Sequence, residues 1–103
     1  MKEVRWSTSA LDDLEAVLAY IAAGNPAAAY EVIDKIEAAG QHLGDMATGR
    51  KGRVSGTYEK PVHGLAYIIA YAIEARRDGV EQIVILRVIH GARDWPAENW
   101  PED

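Results

Sequence analysis

Apolar positions along this chain keep two rhythms, helical in the first half and alternating in the second. Lys2 to Trp6 is a short alternating run with Val4 inward, and it predicts an opening strand. Ser7, Thr8 and Ser9 then offer helix N-caps, and Ser9 followed by Asp12 has capping-box spacing with Asp in place of Glu. Leu14, Val17, Leu18 and Ile21 recur at i, i+3, i+4 and i+7, predicting a helix from about Ser9 to Ala23. Asp12, Asp13 and Glu15 fall in its first turns, where they complement the helix dipole. Gly24 ends that helix, Asn25 caps the next, and Pro26 takes its first position, where a missing N–H costs nothing. Ala29, Val32, Ile33, Ile36 and Leu43 give the second helix an apolar face as far as about His42. So short a break between helices implies an antiparallel hairpin.

Beyond Gly44 the pattern changes. Gly44, Gly49, Gly52 and Gly56 surround Arg50, Lys51 and Arg53, which reads as a loop entering a strand near Arg53 to Val62. After a His63-Gly64 turn, Leu65 to Ala75 predicts a strand with Tyr67, Ile69, Tyr71 and Ile73 on one face and Ile68, Ala70 and Ala72 on the other. The Asp78-Gly79 pair is a hairpin signal. Val80 to His90 is the last strand, with alternation placing Ile83, Ile85, Arg87 and Ile89 on one face and Val84, Leu86, Val88 and His90 on the other. The fold class expected is α+β: a short N-terminal strand, a helical hairpin and an antiparallel meander, in the order β-α-α-β-β-β. All 103 residues form one domain, with an acidic tail at 94–103.

Both faces of the two long strands are apolar, and the hairpin can cover only one. A meander ordinarily shows water a polar face. The second face is therefore expected to stand open as a partner surface, or else to be covered by the tail with Trp95 and Trp100.

Composition excludes more than it assigns. With 49% hydrophobic and 26% charged residues, disorder is not expected. The chain has no Cys, and His42, His63 and His90 share no metal-ligand spacing, so neither a disulfide framework nor a metal site is expected. No apolar run approaches the roughly 18 residues of a membrane span, and the start lacks a signal-peptide pattern, so the expected location is the cytoplasm. The net charge of −5 is unevenly spread. Residues 1–45 hold 3 Lys/Arg against 8 Asp/Glu, residues 46–93 hold 8 against 4, and residues 94–103 hold 4 acids and no base. An acidic total argues against extensive binding to a phosphate backbone, which needs many cations together.

Candidate chemistry gathers at the end of the last strand. Arg87 within an apolar strand must meet a carboxylate or line a groove. His90 beside Gly91 suits acid–base work near neutral pH, or a plain hydrogen-bonding role. Arg93 and Trp95 follow within five residues of His90. Arg50, Lys51 and Arg53 can grip phosphate or form a solvated loop. Nothing matches a nucleotide loop, a nucleophile triad or a cofactor motif.

Taken in order, Trp6-Ser7, Asp13-Leu14, Tyr20-Ile21, Asn25-Pro26-Ala27-Ala28-Ala29, Gly52-Arg53-Val54, Gly56-Thr57-Tyr58-Glu59, Tyr67-Ile68-Ile69-Ala70-Tyr71 and the run Ile83 to Trp95 resemble the RelE/ParE superfamily of type II toxin–antitoxin toxins, over nearly the whole chain. The resemblance implies a cognate antitoxin, of the ribbon-helix-helix ParD-like kind, that wraps the toxin and alone contacts operator DNA. Its expected contacts are Leu14, Val17, Leu18, Tyr67, Tyr71 and Ile85. RelE-like members cleave mRNA on the ribosome with a set of basic residues, whereas ParE-like members poison DNA gyrase. Here Tyr58-Glu59-Lys60-Pro61 and Ala66-Tyr67-Ile68 stand where RelE-like members place basic residues, and no Tyr follows Trp95. The ParE-like reading is therefore preferred, with Arg50, Lys51, Arg53, Tyr58 and Trp95 as target contacts. Arg87, His90 and Arg93 would be catalytic if the chain instead cleaves RNA. A non-toxic partner-binding relative is the third reading.

Overall fold

Ser7 ends the first strand and begins the first helix in a single residue. In the computed structural model, which describes residues 1–91, its side chain accepts from the Ala10 amide at 3.0 Å and donates to the Leu86 carbonyl at 2.9 Å. Ser7, rather than Ser9, is thus the N-cap, and the helix starts two residues earlier than the capping-box spacing suggests. The same hydroxyl ties Ser7 to the last strand through Leu86. The early start also leaves the first turn without an acid.

The elements run β1 (Glu3–Trp6), α1 (Thr8–Ala22), α2 (Pro26–His42), β2 (Arg50–Lys51), β3 (Tyr58–Pro61), β4 (Tyr67–Ala75) and β5 (Glu81–His90). Asn25 caps α2 by accepting from the Ala28 amide at 3.1 Å, with Pro26 following it as expected. The sheet has the order β1-β5-β4-β3-β2. β5, β4, β3 and β2 form the antiparallel meander, and β1 joins its edge parallel to β5, Trp6 opposite Ile85. The α+β architecture read from the sequence holds. β2 is an addition: Arg50 and Lys51 pair with Glu59 and Tyr58 where only a loop was expected, and β3 starts at Tyr58 instead of near Arg53. Gly56, at φ 81, lets the chain turn back between them.

One irregularity resets the last strand. Ala70 faces Arg87 but Tyr71 faces Ile85, so Leu86 is an extra residue on β5. Strict alternation fails there. Val88, assigned to the opposite face by counting, joins Ile83 and Ile85 in the core beneath the helices, while Ile89 does not. That core is made of Ala10, Leu14, Val17, Ile36, Leu43, Ile69 and Tyr71 with those strand residues, and Trp6 packs on its border.

On the face turned away from the helices, Ala72, Val84 and Leu86 form a second, separate cluster. Val84 is 0% exposed and Leu86 5%. These three side chains are buried, and the tail with Trp95 and Trp100 that the sequence offers as a cover lies outside the described residues. Leaving three such side chains in water would forfeit roughly 25 cal/mol for each Å² of apolar surface.

Candidate functional site

The sequence posed a choice for Arg87, and the geometry resolves it in favour of a carboxylate. Asp13, on α1, accepts from Arg87 Nε at 2.8 Å and from Nη2 at 3.0 Å. The same carboxylate also takes the Val88 amide at 2.8 Å. The bonds from Asp13 hold the guanidinium's pKa above its usual value, against the opposing effect of burial. A bidentate pair of this kind fixes direction as well as charge. On the side of β5 away from β4, no strand continues past Trp6 and Ser7 among the described residues, and Asp13 satisfies the Val88 amide there.

His90 ends β5 opposite Tyr67, the two rings edge-on with centroids 5.5 Å apart. With Asp13, Ala16, Val17, Tyr20 and Val88 they line a cleft of about 620 Å³ between α1 and the sheet. An imidazole, two phenols and a carboxylate meet there. No Lys or Arg lines it among the described residues. Cleaving a phosphodiester calls for cations around the developing charge as well as an acid and a base. Arg93 and Trp95 lie outside the described residues.

The basic segment is built around an acid that sequence reasoning passed over. Glu59, only 2% exposed on β3, accepts from the Arg53 amide at 2.8 Å, from Arg53 Nε at 3.1 Å and from Arg50 Nη2 at 3.3 Å. Burial alone would raise its pKa; the hydrogen bonds and charge of Arg53, with a further bond from Arg50, outweigh it and hold the carboxyl below the usual glutamate value. Arg50, Lys51 and Arg53 nevertheless keep exposed side chains. Arg50 and Arg53 are thus tethered to Glu59 while all three bases of the trio face solvent. The available signal was one acid on a strand within nine residues of three bases. Tyr58, next to Glu59, is half-buried and stacks on Tyr71 with centroids 5.5 Å apart.

Of the residues expected to meet an antitoxin, Leu14, Val17, Tyr71 and Ile85 are buried in the chain's own core. Leu18 and Tyr67 are half-buried and are the accessible members of the set. The periodicity that singled them out reports packing against the sheet first.

A small mixed sheet carrying a helical hairpin on one face is a class of α+β domain known from solved structures. One is the chromosomal ParDE toxin–antitoxin system of P. aeruginosa, with a TM-score of 0.76 at 21% identity, covering 87% of this chain and 96% of that one. Another is the RelBE2 toxin–antitoxin complex of Mycobacterium tuberculosis, with a TM-score of 0.53 at 23% identity, covering 86% and 96%. At those identities the likeness concerns the fold. In sequence, the chain is 38% identical over 96 residues to Y4kP, a candidate toxin of Sinorhizobium fredii (strain NBRC 101917 / NGR234), covering 92% of this chain and 94% of that protein. The family model for the ParE toxin of the type II toxin–antitoxin system parDE matches residues 4–95. The chain belongs to the ParE toxin family, within the RelE/ParE superfamily.

Proposed function

We propose that this ParE-family toxin poisons DNA gyrase, without making or breaking a covalent bond itself, and that a cognate ParD-like antitoxin neutralises it in a hetero-oligomer. The partner assignment is supported by the two structural relatives, both described as toxin–antitoxin systems. Operator DNA would be contacted only through the antitoxin, and no cofactor or metal is invoked. No helix among the described residues is long and apolar enough to cross a membrane, and a cytoplasmic site of action goes with a gyrase target.

The observation that carries this reading over mRNA cleavage is the Arg87–Asp13 pair. The strand arginine that an RNA-cleaving site would use is committed to a carboxylate on α1, and the cleft beside it has no Lys or Arg among the described residues. What remains for target contact is the tethered patch of Arg50, Lys51 and Arg53, with Tyr58 beside it.

Induction of the chain without its antitoxin tests the assignment directly. Double-strand breaks and a DNA-damage response are expected before protein synthesis falls, and purified toxin should inhibit gyrase supercoiling. Cut messages with an intact chromosome would overturn it in favour of a ribosome-dependent endonuclease working through His90. Unimpaired growth, with antitoxin binding retained, would identify a non-toxic relative.

A further inference from the structure

The face of the sheet turned away from the helices is buried although no described element covers it. Val84 is 0% exposed, Leu86 5% and Ala72 9%. All five strands lie in one sheet and α1 and α2 pack on its other side, so among the described residues no helix or strand lies over these three. Side chains on a sheet stand beside one another, perpendicular to its plane, and leave their tips open. A valine with no exposed surface therefore needs something above it. The described residues end on this same side. Gly91 donates to the Ala66 carbonyl at 2.7 Å, and a Cβ built on it would fall 3.3 Å from Ile68 Cδ1. Alternation along β4 puts Ile68 with Ala70 and Ala72, opposite the core residue Ile69.

Reach and charge name the cover. Residues 92–103, starting beside Gly91, can span at most about 40 Å, and the ten residues of β5 span about 34 Å. That segment can return along the whole of β5, with Trp95 in reach of Leu86 and Trp100 in reach of Val84. The borders of the face are basic. Val4 and Trp6 pack on the core, so Arg5 turns to the far face, opposite Val84 in register. Across the sheet Glu59 faces Ala70 and holds Arg50 and Arg53 at the other border. Residues 94–103 bring four acids and no base, the complement of those arginines. A second copy could offer the same segment only at the entropic cost of association, whereas the tethered one is held at high effective concentration.

We propose that residues 92–103 fold back across the far face of their own sheet and seat Trp95 and Trp100 on Ala72, Val84 and Leu86. The acids of the segment then meet Arg5 on one border and Arg50 and Arg53 on the other. Two indoles supply the apolar area that such a cluster needs. Seated there, Trp95 is a packing residue and not a target contact, and any partner that uses this face must first displace the segment. The inference stands whether gyrase or the ribosome is the toxin's target.

The chain has no Cys, so Asn99→Cys accepts a single nitroxide label on the purified full chain, and amide relaxation in isotope-labelled protein reads where the label sits. The amides of Ala72, Val84 and Leu86 should broaden, and those of Tyr30 and Glu37, exposed on α2, should not. Trp95→Ser combined with Trp100→Ser should lower the docked-to-undocked ratio at least about tenfold and remove most of the broadening. A mixture of spin-labelled, isotope-free protein with isotope-labelled, spin-free protein distinguishes a second copy from the chain's own segment, and it should show no broadening. The proposal is overturned if Ala72, Val84 and Leu86 keep sharp signals in the labelled chain, or if α2 broadens as much as they do. Broadening in the mixture equal to that within one chain, or broadening untouched by the double tryptophan replacement, would overturn it as well.

Discussion

Asp13 and Arg87 lie 74 residues apart in sequence and meet through both oxygens of the carboxylate, at 2.8 and 3.0 Å. Because Asp13 also holds the Val88 amide, this contact fastens α1 to the last strand just where the sheet loses β1 as a neighbour. Asp13→Ala should lower stability by about 2–3 kcal/mol in urea titrations, since it strands a half-buried guanidinium and an edge amide together. Asp13→Leu with Arg87→Met should recover all but about 1–2 kcal/mol, the residue of the loss belonging to the Val88 amide.

Glu59 makes stability depend on pH. Its carboxyl titrates below 4.5 in the folded protein. The unfolded chain therefore binds that proton more readily, and stability rises with pH through this range. The contribution is full above about pH 4.5 and is lost as pH falls through the folded value. Urea midpoints measured at neutral pH and near pH 3 should diverge more for the wild type than for Glu59→Gln, which keeps the shape and removes the titration.

Ser7→Ala should cost about 1–3 kcal/mol, because one hydroxyl serves the Ala10 amide and the Leu86 carbonyl in a fully buried position. Ser9→Ala, at the residue the sequence favours as cap, should stay within about 0.5 kcal/mol. Equal losses in thermal melts would contradict the assignment of the cap.

Gly40 lies against the ring of Trp6. A Cβ built there falls 2.5 Å from Cζ2 and 2.7 Å from Cη2. Gly40→Ala gains helix propensity of about 1 kcal/mol but must push the indole away, and the net should be a loss of about 1–3 kcal/mol. A stabilised variant in calorimetry would show that the ring moves freely.

The basic patch separates activity from folding. Lys51 is not among the donors to Glu59, so Lys51→Glu should leave the urea midpoint unchanged while weakening gyrase inhibition about tenfold. Arg53→Glu should lower both, since it places a second carboxylate against a buried one. Full supercoiling inhibition by Lys51→Glu would remove this patch from the target surface.

Local signals carried much of the fold. The Leu14/Val17/Leu18/Ile21 stripe, the Asn25-Pro26 start and the Asp78-Gly79 turn each act within a few residues, and each appears where the sequence places it. What escaped is non-local. Leu86 as an extra residue cannot be read from a strand apolar on both faces, since Leu86 and Val88 suit either side. The parallel pairing of β1 with β5 has no local signature. Glu59 was legible only as an acid among bases, and its burial depends on Arg50 and Arg53 being returned to it by the Gly56 turn.

The neighbour relation of β1 and β5 has a consequence for synthesis. Trp6 pairs with Ile85, so a nascent chain carries its first strand unmatched until nearly the whole of the described domain has left the ribosome. Ser7 and Asp13 likewise wait for Leu86 and Val88. Completion of this sheet is therefore a late event in synthesis, and the hairpin emerges well before the strand it must pack against.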